Sequence, residues 1–86
     1  LLNKEKLKKY ERIAKNLISF KKKFIIKKNI KKLISNKKIE LQKIYGISIE
    51  YLELRNKINL KITNKIINAK IFIAYKLGNV RLIDNF

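Results

Sequence analysis

The sequence predicts an α+β fold, with basic N-terminal helices followed by a small antiparallel β meander. Three observations predict it. Apolar residues recur at three- and four-residue steps as far as Tyr45, they alternate with polar ones after Gly46, and Gly78-Asn79 supplies a two-residue hairpin turn. A mostly α arrangement is the alternative, because Ile66, Ala69, Ile73 and Leu77 also share a helical face. The 86 residues are expected to form one small domain, with a basic helical part over 1–45 and a strand-rich part over 46–86.

The first helix is expected from about Asn3 to Phe20, with Leu7, Tyr10, Ile13, Ala14 and Leu17 on its apolar face. Asn3 suits the N-cap, and Glu5 suits the first turn, where the helix dipole favours a negative charge. A second helix is expected from Phe24 to Ser35, with Ile26, Ile30, Leu33 and Ile34 inward. A short third covers Lys37 to Tyr45, burying Leu41, Ile44 and Tyr45 and ending at Gly46. Beyond it, Ile47–Tyr51 and Ile58–Ile62 alternate around a turn at Arg55-Asn56-Lys57. Ile67–Leu77 and Val80–Ile83 complete a meander of about four strands.

Charge dominates the composition. Lys and Arg number 23 against 6 Asp and Glu, a formal net charge of +17. Only three cations are Arg (Arg12, Arg55, Arg81). Lys, Ile and Asn together make up 47 of the 86 residues, the mark of an AT-rich genome. A chain near this length buries only about 60–65% of the surface it exposes when unfolded. Self-repulsion opposes that small gain, so binding a polyanion is expected to complete its stability.

The composition also excludes chemistries. Without Cys or His there is no thiol catalysis, no serine-type triad, no disulfide and no soft metal site. Two isolated glycines cannot cradle a phosphate. Glu50 and Glu53 are the closest acid pair, and in a strand they point to opposite faces. The expectation is therefore a non-enzyme with no catalytic residue, metal, cofactor or small-molecule substrate. No run is long enough to span a membrane, and the start at Leu1–Lys6 shows no secretory leader.

The lysine clusters mark the expected binding surface. Lys8, Lys9, Lys21, Lys22, Lys23, Lys27, Lys28, Lys31, Lys32, Lys37 and Lys38 all precede Gly46, and Arg55, Lys57 and Arg81 follow it. Such a surface neutralises phosphates with release of counterions. Phe20 and Phe24 flank Lys21–Lys23 at i,i+4 spacing and are the candidates for base stacking.

In composition the whole chain resembles an organellar, mitochondrial-type ribosomal protein. Lys9-Tyr10-Glu11, Leu41-Gln42-Lys43-Ile44 and Arg55-Asn56-Lys57 are similar to the fourteenth protein of the small ribosomal subunit. Thr63–Ile71 resembles the eighteenth protein of the large subunit, and Ile71–Val80 the eleventh of the small. These exclude one another, so the family stays open and no family's binding residues are carried over. Together the resemblances imply a structural constituent of the ribosome, with ribosomal RNA and neighbouring ribosomal proteins as partners. Location in a mitochondrion is implied, with a plastid-type organelle or the cytoplasm of an AT-rich organism as alternatives. A nucleoid protein binding duplex DNA and a protein of anionic membrane surfaces are the other two readings.

Overall fold

The computed structural model describes residues 3–23 and 29–86. Asn3 caps the first helix, α1 (Lys4–Lys22), its Oδ1 accepting from the Lys6 amide at 2.8 Å. That bond satisfies one of the amides a helix start leaves open. Glu5 lies in the first turn and Lys21 and Lys22 in the last, both as the dipole favours. Ile13, Leu17 and Phe20 are buried, whereas the expected inward residue Leu7 is 45% exposed.

The second and third expected helices are one. α2 runs unbroken over Ile30–Tyr45, with Asn29 as N-cap. The polar Ser35-Asn36 step interrupts the apolar pattern but not the backbone. Lys37 spans the same place, donating to Asn16 of α1 at 3.0 Å and to Glu40 at 2.6 Å. Leu41 is fully buried, but Ile44 is 61% exposed, against expectation. Gly46 ends the helix at φ +62, donating its amide to the Gln42 carbonyl. Only glycine adopts that left-handed conformation without steric cost. Phe24, Lys27 and Lys28 fall outside the described residues, as does Ile26.

Three strands follow: β1 (Ser48–Asn56), β2 (Ala69–Leu77) and β3 (Val80–Asn85), antiparallel in the order β1-β2-β3. The fold is α+β as expected, with three strands in place of about four. The Ile58–Ile62 strand does not form. Asn56 Oδ1 accepts from the amides of Ile58 and Asn59 and closes a tight turn. Leu60 then takes φ +60, which no strand tolerates. Only an isolated bridge between Arg55 and Ile62 remains. The expected turn at Arg55 therefore starts later, and Arg55 is a strand residue.

Alternation decides the faces. Ile71, Ile73, Tyr75 and Leu77 of β2 are buried with Ile49, Leu52 and Leu54 of β1, and they share one core with Ile13, Leu17, Phe20, Ile30 and Leu41. The register places Lys70, Phe72, Ala74 and Lys76 on the opposite face of β2. The hairpin closes at Gly78-Asn79 as expected, with Leu77 paired to Val80 and Gly78 at φ +63. The side chain of Lys6 lies over Gly78, so a β-carbon there would come within 2.5 Å of Nζ.

Tyr10 fastens α1 to β3, its hydroxyl donating to Asp84 Oδ2. That hydrogen bond and burial raise the Tyr10 pKa. Tyr10→Phe should lower the unfolding free energy by about 1–2 kcal/mol in urea titrations at neutral pH. A tyrosine with a raised folded pKa stabilises fully below its unfolded pKa of 10.0 and loses that contribution as pH rises through the folded value. The deficit of Tyr10→Phe should therefore shrink when the titration is repeated above pH 10.

Candidate functional site

The structure sorts the expected binding residues into paired and unpaired groups. Lys8, Lys22, Lys23, Lys31 and Lys32 are exposed on the helices, while Lys9, Lys21, Lys37 and Lys38 are half-buried. Lys37 is already engaged with Glu40, and its Nζ lies 4.9 Å from the centre of the Phe20 ring. Phe20 itself is core, 7% exposed, and is not presented for stacking on a base.

Two of the three arginines are also engaged. Arg55 donates to Glu53 at 2.9 Å and to the Leu60 carbonyl at 2.7 Å. It therefore braces the loop after β1 and does not offer its guanidinium to an anion. Arg81 makes a two-pronged pair with Glu50, both distances 2.8 Å. A bulge between Ile49 and Tyr51 makes this possible, because Glu50 has no partner on β2. The Arg81 hydrogen bonds hold the Glu50 carboxyl below its usual pKa. Glu50 and Glu53 are thus bound to different arginines and do not act as an acid–base pair.

Lys21, Lys57 and Lys70 form the cluster with the clearest electrostatic signature. They come from the last turn of α1, the residue after β1 and the second residue of β2. Burial first, then the charges of Lys70 and Lys57, lower the Lys21 pKa. Among the described residues the Lys70 ammonium hydrogen-bonds a neutral group, Asn85 Oδ1 at 3.3 Å, and enters no ion pair. Beside the cluster lies a groove of about 480 Å³ lined by Ile18, Lys21, Lys22, Ile66 and Phe86. Cations gathered without an acid among them are suited to a carboxylate or phosphate, which relieves their repulsion. Lys21 and Lys57 were legible as basic residues. Lys70 stands alone in the sequence, and only the β1–β2 pairing brings it to the others.

A second cluster joins the buried Tyr75 to the half-buried Tyr10 and Asp84. The Tyr75 hydroxyl is buried without a hydrogen-bond partner among the described residues. Burial, with Tyr10 and Asp84 nearby, pushes its pKa well above the tyrosine range. The phenol stays neutral at any physiological pH, and the Tyr10–Asp84 bond lies at the edge of the core beside it. Among the described residues no group of His, Cys, Asp or Glu could hold a metal ion, and no helix is long and apolar enough to cross a membrane.

Comparison with known proteins finds one family. The family model described as pantoate-beta-alanine ligase matches residues 1–86, the whole sequence given. No curated protein and no solved structure matches. The family match overturns the ribosomal identity, function and partners expected from the sequence. The family is one of enzymes, not of ribosomal constituents, so the reading as a non-enzyme is corrected. It is named for two small molecules, against the expectation of no small-molecule substrate and of ribosomal RNA and ribosomal proteins as partners. The physical reason is compositional. An AT-rich gene fills exposed positions with Lys and apolar ones with Ile in any protein, and so imitates an RNA-binding surface.

The cluster carries a measurable cost. A lysine with a lowered folded pKa opposes folding in full below that pKa, and the penalty disappears as pH rises towards the unfolded value of 10.5. Lys21→Met should raise the melting temperature by about 2–4 °C at neutral pH and low salt, corresponding to roughly half a kcal/mol after solvent screening. The gain should shrink when inorganic phosphate is added at constant ionic strength, and again near pH 10.5. Thermal denaturation of both proteins under the three conditions checks this.

Proposed function

Because the chain belongs to the pantoate-beta-alanine ligase family, we propose that it serves the joining of pantoate to β-alanine. Its own part is to hold the anionic groups of the reactants. The bond to be made is an amide between the carboxyl carbon of pantoate and the amine of β-alanine. A carboxylate is a poor electrophile, and a ligase activates it with a nucleoside triphosphate, so that one carboxylate oxygen leaves with phosphorus. The amine attacks as the free base and loses a proton. Pantoate, β-alanine through its own carboxylate, and the triphosphate all bring negative charge to the site.

The observation that carries this reading is the Lys21–Lys57–Lys70 cluster, in a chain whose whole length matches the ligase family. Fixed cations gain most where they replace water around an anion before the reaction begins. The exposed lysines of α1 and α2 add a long-range positive field that speeds the arrival of anionic reactants. Glu40, Glu50 and Glu53 weaken that field little, since each is held by a cation of its own.

Incubating the protein with pantoate, β-alanine and ATP should give the amide, detected by mass spectrometry, in amounts that depend on all three. No amide under these conditions would refute the ligase reading. Lys21→Gln, Lys57→Gln and Lys70→Gln should each raise the KM of at least one anionic reactant, by roughly three- to tenfold. If amide forms but the three KM values are unchanged, the cluster has no part in binding and the ligase reading stands without it.

A further inference from the structure

A second groove, of about 590 Å³, lies between α2 and β1. Its volume is that of a small-molecule site. Ile30, Leu52 and Leu54 form its floor and are 8%, 6% and 1% exposed. Ile34 extends this apolar surface from α2, and Ile62 extends it from the loop after β1. Ile62 is 65% exposed, a large apolar side chain facing an open space. The loop is held in place on both sides. The Thr63 amide donates to the Leu54 carbonyl at 2.9 Å, and Ile62 bridges to Arg55.

The mouth of the groove is chemically distinct from its floor. Lys31, Ser35 and Lys38 line it at successive turns of α2, and Thr63 and Asn64 line it from the loop. Neither Lys31 nor Lys38 enters an ion pair among the described residues. The only acid in the lining, Glu53, is neutralised by Arg55 at 2.9 Å. Two cations above a floor of Ile and Leu match a ligand with a negative end and an apolar body.

We propose that the α2–β1 groove binds a small monocarboxylate with a branched aliphatic body, its carboxylate between Lys31 and Lys38 and its alkyl part on Ile30, Ile34, Leu52, Leu54 and Ile62. This site is separate from the Lys21–Lys57–Lys70 cluster and does not rest on the ligase reading. The floor carries no polar side chain, so it favours a plain alkyl body over the dihydroxy acid that the family joins. An apolar ligand gains there by covering surface that water wets poorly.

Titrating the full chain with 4-methylpentanoate tests this, followed by amide NMR shifts. Saturable shifts should appear at Lys31, Ser35, Leu52 and Thr63. The neutral analogue 4-methylpentan-1-ol and pantoate should both bind several-fold more weakly. Lys31→Gln and Lys38→Gln should each weaken binding by roughly three- to fivefold, and Lys43→Gln, elsewhere on α2, should leave it unchanged. Ser35→Trp, which fills the groove from an exposed position, should abolish binding while keeping a folded spectrum. If that variant does not fold, the two glutamine variants decide the matter. Shifts spread over the lysines of α1, equal affinity for the alcohol, or tighter binding of pantoate would overturn the proposal.

Discussion

The apolar face of β2 is the surface on which the other elements depend. Ile71, Ile73, Tyr75 and Leu77 are at most 3% exposed, and they meet β1 on one side, β3 on the other and α1 across the layer. A chain with net charge +17 repels itself on folding, so burial along this strand must exceed that repulsion. It does so with aliphatic side chains of four carbons or fewer and one tyrosine, whose hydroxyl has no hydrogen-bond partner among the described residues. The Tyr10–Asp84 bond lies next to this weak point and ties α1 to the third strand.

The few acids are used locally. Glu40 holds Lys37, Glu50 holds Arg81, Glu53 holds Arg55 and Asp84 accepts from Tyr10. Each of these contacts fixes a structural joint: Lys37 links α2 to Asn16 of α1, Arg81 links β3 to β1, and Arg55 supports the loop that carries Ile62 and Thr63. Arg55 and Arg81 therefore serve geometry, where a planar guanidinium makes two directed bonds. Both were expected to face an anion, and both are engaged within the chain, with Glu53 and Glu50. Among the described residues, the positive charge outside ion pairs resides on Arg12 and the lysines other than Lys37.

Local signals were legible and non-local ones were not. Asn3, Gly46 and Gly78-Asn79 act through their own backbone neighbourhood, and each stands where its residue type implies. The alternation expected over Ile67–Leu77 forms a strand from Ala69 onward, where every inward position is apolar, while Ile67 lies before it and is 77% exposed. Ile58–Ile62 alternates just as well, yet the Asn56 side chain and the left-handed Leu60 turn the backbone before a strand can pair. Phe20 looked open beside Lys21–Lys23, but helix periodicity places it three residues beyond Leu17 on the buried face. The cluster at Lys21, Lys57 and Lys70 needed the sheet register, and the groove between α2 and β1 needed the loop path. The family was hidden for a different reason, since composition reports the genome before it reports the function.

Unfavourable electrostatics inside a small, strongly basic chain separates solvation from function. A lysine on an open helix face points into water, where its charge is screened and costs the fold little. Lys21 is different: it is partly desolvated and faces two further cations from other segments, and its pKa is lowered for those reasons in that order. Nothing in packing requires this arrangement, because a Gln or Met at the same place fills the same space without the repulsion. An anion bound beside Lys21 would relieve that conflict and so favour the folded chain. Neighbouring Lys8, Lys15 and Lys43 lie exposed, and the same argument assigns them to solubility and to the long-range field. The composition alone could not draw that line between lysines, and the β1–β2 register draws it.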